Sequence, residues 1–134
     1  MDQHDALARK RRADVVIDRA AQELRDLLED AAKSLRPFPP FPGAFFTNAV
    51  EVNLEGVERA DIGPVVVGED GRLYELEIEI NFEGELGEIA DPVQAREERL
   101  KKLEDLHPRD EIILAYNALA QLTAILMEKG AEPA

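Results

Sequence analysis

The fold of this chain is decided by a stretch at its centre, RLYELEIEINFE, residues 72–83. Apolar and polar side chains alternate along it, which is typical of a β-strand with one buried face. The apolar side consists of Tyr74, Leu76, Ile78, Ile80 and Phe82, and the polar side of Glu75, Glu77, Glu79, Asn81 and Glu83. We therefore predict a strand over residues 72–83 that carries a glutamate row, defined as Glu75, Glu77, Glu79 and Glu83.

Two shorter strands are predicted before this one. Residues 49–55 alternate between apolar and polar side chains, and residues 65–67 are three valines that follow Pro64, as at the start of an edge strand. The pair Asp70-Gly71 between apolar runs is a strong hairpin signal. The three strands should form an antiparallel meander.

Helices are predicted on both sides of the strands. Residues 5–35 have apolar side chains at three-and-four spacing, and residues 108–129 show the same spacing. Residues 92–106 follow Asp91 as a helix cap, although their apolar content is thin. The predicted fold is α+β: a long N-terminal helix, a three-stranded antiparallel β-meander and two C-terminal helices packed on one sheet face.

The packing of these elements is a second prediction. We expect the first and last helices to lie against the sheet face that runs from Tyr74 to Phe82. The last helix is apolar over more than one stripe, which indicates cover on two sides, by the sheet and by either the first helix or a second protomer. A homodimer is therefore expected.

All of residues 1–134 fit one domain. We expect residues 1–12 to fray and residues 130–134 to form a tail. Residues 36–48 are rich in Pro and Phe, and they predict a stiff connector whose Phe38 and Phe41 plug the edge of the core. A Pro-rich ligand for an aromatic groove is the alternative interpretation of this connector.

Composition excludes several classes of function. The chain has no Cys, which removes disulfides, Cys-ligated metals and thiol nucleophiles, and it has one Ser and two His, which leaves little for a hydrolytic triad. The net charge of −13 opposes binding to nucleic acid and to anionic membranes, and no apolar run reaches the length of a membrane span. We expect a cytoplasmic protein with no cofactor, and a binding module rather than an enzyme.

The acidic charge is concentrated around the strands. Residues 51–88 contain twelve acids and two bases, which is ten of the thirteen excess negative charges. Three interpretations stay open: a solvated face that discourages strand aggregation, a docking surface for a basic protein partner, and a divalent-metal site at Glu75, Glu77 and Glu79. The candidate partner-binding residues are Glu51, Glu55, Glu75, Glu77, Glu79 and Glu83.

Two further features complete the candidates. The basic run of Arg9, Lys10, Arg11 and Arg12 is interpreted as the solvated start of a helix, or as a contact with an acidic surface. His107 precedes Pro108 and is interpreted as a cap between two helices, or as an accessory general base. The predicted function is a non-enzymatic interaction or scaffold module that uses the acidic sheet face, with a carboxylate-based metal enzyme or small-ligand protein as the alternative.

Overall fold

The computed structural model describes residues 2–57, 63–80, 96–103 and 105–131. The predicted α+β class is confirmed: a long N-terminal helix, a four-stranded antiparallel sheet and a C-terminal helix. The elements in chain order are α1 (Gln3–Ser34), β1 (Ala49–Glu51), β2 (Val65–Gly68), β3 (Leu73–Ile80), β4 (Arg96–Lys102) and α2 (Pro108–Ala131). The strands pair in the order β1-β2-β3-β4, which is an up-and-down meander.

The predicted helix over residues 92–106 is wrong, because residues 96–102 form strand β4. This segment is rich in Arg, Glu and Lys, which are good helix formers, so its local propensity favours a helix. It pairs with β3 over seven residues, and Glu75 faces Lys101 while Glu77 faces Arg99. Opposite charges across two strands stabilise the pairing, and this non-local contact overrides the local propensity. The sheet therefore has four strands rather than three, and one C-terminal helix follows it rather than two.

Strand β1 is shorter than predicted, and side chains of α2 hydrogen-bond its open edge. Gln121 of α2 donates from Nε2 to the carbonyl of Glu51 at 2.5 Å and accepts from the backbone N–H of Asn53 at 3.0 Å. Asn117, one turn earlier, donates to the carbonyl of Asn53 at 2.9 Å. These side-chain amides satisfy the open edge of the sheet, while on the other edge the N–H of Val52 still donates to the carbonyl of Val65 at 2.8 Å. Residues 81–83 of the third predicted strand, with Phe82 and Glu83, lie outside the described residues.

The helices pack on the sheet face opposite to the predicted one. The main core joins both helices to Val65, Val67 and Leu73, whereas Tyr74 and Leu76 belong to a smaller cluster on the other face with Val66. All three valines of β2 are buried, so the sheet is covered on both sides at this strand. The alternation in β3 therefore correctly separates two faces, but it does not show which one meets the helices.

The connector between α1 and β1 covers both parts of the core, as predicted. Phe38 is buried among the residues that join the helices to the sheet, and Phe41 packs against the smaller cluster on the opposite face. A stiff, Pro-rich segment can hold two aromatic rings on different sides of a sheet because its backbone has little freedom. The connector thus supplies the cover that the second sheet face would otherwise lack.

The two helices run side by side in the same direction. Arg25 of α1 makes a salt bridge of 2.9 Å with Glu111 at the start of α2, and Lys129 near the end of α2 donates to the carbonyl of Pro37 just past α1. Only the second half of α1 enters the core. Residues 3–16, which we call the arm, are all exposed and extend over about 20 Å at the rise of an α-helix.

Candidate functional site

Three members of the glutamate row, Glu75, Glu77 and Glu79, lie on the same sheet face as basic residues of β4. In the antiparallel register Glu75 is opposite Lys101, Glu77 is opposite Arg99, and Glu79 is opposite Glu97. Arg99 also makes a salt bridge of 2.9 Å with Glu97. Two of these three cross-strand pairs join opposite charges and the third joins two glutamates, so this part of the sheet is a mixed rather than a uniformly acidic surface.

The other candidate glutamates lie away from this row. Glu51 is on the opposite face of the sheet, where it pairs in register with Val66, and Glu55 follows the end of β1. The backbone carbonyls of both residues accept hydrogen bonds from amides of α2. Glu83 lies outside the described residues. The six candidates therefore do not form one continuous surface in the described part of the chain.

Nothing among the described residues favours metal binding or acid–base chemistry. No group of three or more His, Asp or Glu side chains converges within residues 2–57, 63–80, 96–103 and 105–131. His107 is exposed, and its Nδ1 accepts the backbone N–H of Arg109 at 3.2 Å. This bond satisfies a free N–H in the first turn of α2, so His107 caps that helix; the other helix that it was expected to separate from α2 is replaced by strand β4.

The basic run lies on the exposed arm. Lys10 makes a salt bridge of 2.5 Å with Asp14, one turn along the same helix. Both side chains are well exposed, so this pair adds little to stability. The four bases are exposed, and Lys10 lines an open pocket with His107 and Arg109 at the start of α2.

A second group of polar side chains organises the sheet face that lies away from the helices. The carboxylate of Glu98 accepts the backbone N–H groups of Phe45 and Phe46 and the hydroxyl of Thr47. These three bonds tie the connector to β4, and the resulting open pocket has a volume of about 530 Å³. Since three donors already engage the Glu98 carboxylate, this group acts as a clamp.

Tyr74 lines the same pocket and has a shifted pKa. Its hydroxyl donates to the Asp70 carboxylate, and this hydrogen bond, together with burial and the charge of Asp70, raises the pKa of Tyr74 to about 12. The backbone N–H of Arg72 donates to the other oxygen of Asp70 at 3.0 Å. Asp70 therefore holds the β2–β3 hairpin and the Tyr74 ring together.

The outer side of α2 is an uncharged, exposed surface in the described part of the chain. Residues 112–127 contain no charged side chain over four and a half turns. One side, the inner face, is fully buried and consists of Leu114, Ala115, Ala118 and Leu122. The opposite side, the outer face, is exposed and consists of Tyr116, Ala120, Thr123 and Met127.

The exposure of this outer face is large. Tyr116 is 62% exposed and Met127 is 71% exposed. The helix is long and apolar enough to cross a membrane, yet only 22% of its most apolar window is buried inside the protein. The outer face is thus an uncharged surface whose two large side chains, Tyr116 and Met127, are exposed.

The outer face of α2 can be recognised in part from the sequence. The absence of charge from Ile112 to Met127 is visible in the sequence, and it predicts cover on two sides. Asn117 and Gln121 are the two amides within that run, and the sequence does not indicate that they hydrogen-bond the edge of the sheet. The clamp at Glu98 was missed because its strand was predicted as a helix.

No protein-family model matches this chain, and neither a curated protein nor a solved structure is significantly similar to it.

Proposed function

We propose that this chain is a non-enzymatic protein–protein interaction module whose binding surface is the outer face of α2. The observation that carries the proposal is the exposure of Tyr116 and Met127 on a helix without charge over residues 112–127. Aromatic residues and Met are enriched in protein interfaces, where charged residues are depleted from the centre. The outer face has this composition.

The glutamate row is a weaker candidate for the contact itself. Lys101 and Arg99 face it in register, so a basic partner would have to compete with bases that are already present. The net charge of −13 still creates a long-range field that speeds the approach of basic partners and repels acidic ones. The acidity thus selects partners, while the apolar outer face supplies the contact.

A membrane is a poorer match to the outer face than a protein. Spanning a bilayer would require α2 to leave the core, although its inner face is buried and Gln121 and Asn117 hydrogen-bond the edge of the sheet. Lying on a membrane surface would bring a chain of net charge −13 against anionic lipid headgroups. Both costs are avoided when a protein covers the outer face.

Photo-crosslinking tests the proposal directly. A photoreactive amino acid replaces Ala120, which is exposed at the centre of the outer face, and a matched variant carries the same group at the exposed Lys33 of α1. We expect irradiation of cells to give protein adducts of defined mass from position 120 that are absent from position 33. Equal adduct formation at both positions, or no adduct at position 120, contradicts the proposed function.

A further inference from the structure

We propose that a second copy of this chain covers the outer face of α2, with the two α2 helices antiparallel about a twofold axis near residues 121 and 122. This inference rests on the proposed function and names the partner at the same surface. It is carried by three observations: the self-complementary spacing of the outer face, its lack of charge on an acidic protein, and the exposure of Tyr116 and Met127 at its two ends.

The outer face is complementary to itself. An antiparallel pairing centred between residues 121 and 122 brings Tyr116 of one copy to Met127 of the other, and Ala120 to Thr123. Large side chains then meet at the two ends, where a Met sulfur contacts an aromatic ring, and small ones meet at the centre, where the helix backbones approach most closely. Thr123 fits this centre because its hydroxyl donates to the carbonyl of Leu119 at 2.7 Å within its own helix.

The charge distribution restricts where two copies can meet. Each chain has a net charge of −13, so two copies repel one another over most of their surfaces. The uncharged run of residues 112–127 keeps charged side chains out of the contact, and its ends are marked by Glu111 and Glu128. An isologous contact through this run is the arrangement that symmetric dimers most often use.

The two large side chains of the outer face are open to a partner. Tyr116 is 62% exposed and Met127 is 71% exposed, and they stand at the two ends of this face.

Disulfide trapping tests both the partner and its direction, because the chain has no native Cys. Ala120→Cys and Thr123→Cys chains, one of them tagged, are mixed and oxidised, with Lys33→Cys as the matched control. A disulfide requires Cα atoms within about 7 Å, so only residues that meet in the dimer are trapped. We expect the mixed 120–123 disulfide to form in excess of the 120–120 and 123–123 species, and Lys33→Cys to remain unlinked.

The outcomes separate the two proposals. Predominant 120–120 and 123–123 disulfides indicate a parallel pair and overturn the antiparallel arrangement. A monomer without disulfides that still gives a photo-adduct with a different protein from position 120 overturns the second copy but supports the interaction module. Binding of the monomer to neutral or anionic lipid vesicles, with no protein adduct from position 120, overturns both.

Salt dependence gives an independent check. Because the two copies repel, screening by salt should strengthen self-association, whereas binding of a basic protein to the glutamates should weaken. The double variant Tyr116→Glu/Met127→Glu should weaken self-association at least about tenfold, with circular dichroism showing that each chain remains folded. A folded double variant that associates like the natural chain overturns the proposal.

Discussion

The inner and outer faces of α2 belong to the same apolar helix but have opposite environments. Leu114, Ala115, Ala118 and Leu122 are 0% exposed, while Tyr116 and Met127 on the other side are more than half exposed. Hydrophobic periodicity marks both faces as apolar and does not distinguish a core contact within one chain from a contact between chains. The inner face is part of the core of the domain, whereas the outer face is open to solvent and is the surface that we propose for assembly.

Truncation of the inner face should have the largest effect. Leu114→Ala removes a fully buried side chain and leaves a cavity, so we expect the free energy of unfolding to fall by about 2–5 kcal/mol. Met127→Ala on the outer face should change the unfolding free energy of the monomer by less than about 0.5 kcal/mol. Urea denaturation of dilute samples measures both values. Similar losses in the two variants would contradict the distinction between a buried inner face and an exposed outer face.

Substitution of Gly71 tests how tightly the β2–β3 hairpin, which carries Tyr74, packs against α1. It has a φ of 79°, and a Cβ added there would lie 2.5 Å from the Cα of Glu29 in α1. Gly71→Ala should therefore lower the unfolding free energy by about 2–4 kcal/mol, from both backbone strain and the clash.

Gly43→Ala is the matched control for this prediction. Gly43 has a φ of 87°, but nothing lies within 4 Å of an added Cβ. Its substitution should cost about 1 kcal/mol from backbone strain alone. Equal losses in the two variants, measured by denaturation, would show that the hairpin does not depend on its close contact with α1.

The amide pair at the sheet edge should have a smaller effect. Gln121→Ala removes two hydrogen bonds to the backbone beyond β1, which should cost about 1–2 kcal/mol and expose an unpaired edge. Gln22→Ala, which removes an exposed amide of α1, should stay within about 0.5 kcal/mol of the natural chain. Faster amide hydrogen exchange in β1 should accompany the loss at Gln121, and unchanged exchange there would contradict its role as a substitute strand.

The pH dependence from Tyr74 is the smallest expected effect. Its pKa is about 12 in the folded protein against 10.0 for an ordinary Tyr, so the folded state holds the phenolic proton more tightly than the unfolded state does. The resulting stabilisation is fully present below pH 10 and is lost as the pH rises toward 12. The Tyr116→Phe variant leaves Tyr74 as the only Tyr, so phenolate absorbance reports its titration alone.

Asp70→Asn provides the control for this titration. Removing the carboxylate that accepts the Tyr74 hydroxyl should lower the pKa of Tyr74, because the charge that opposes ionisation is gone. A Tyr74 pKa that does not change in Asp70→Asn would show that burial, rather than the hydrogen bond, dominates the shift.

The sequence predicted the elements whose patterns are local. Both long helices, the β2–β3 hairpin at Asp70-Gly71 and the plugging role of Phe38 and Phe41 follow from periodicity, turn chemistry and Pro content. Strand β4 could not be predicted in this way, because its charged residues favour a helix until β3 is beside them. The sequence also could not show which side of the sheet meets the helices, because β2 is apolar on both faces.

The candidate site shows the same limit. The count of acids over residues 51–88 stopped before the basic strand that faces the glutamate row, so the acidity of that face was overstated by the sequence. The uncharged run in α2 was visible, but its division into inner and outer faces depends on where the sheet and α1 lie. Whether the glutamates contribute to partner binding stays a prediction.

Sedimentation equilibrium tests the central claim most directly. The natural chain should have a mass about twice 14.9 kDa, with a dimer that strengthens as salt is added. The double variant Tyr116→Glu/Met127→Glu should sediment as a folded monomer of 14.9 kDa, and Gln22→Glu, which adds charge away from the outer face, should remain a dimer. A natural chain that stays monomeric at every salt concentration, or a folded double variant that remains dimeric, would contradict the claim that the outer face of α2 binds a second copy.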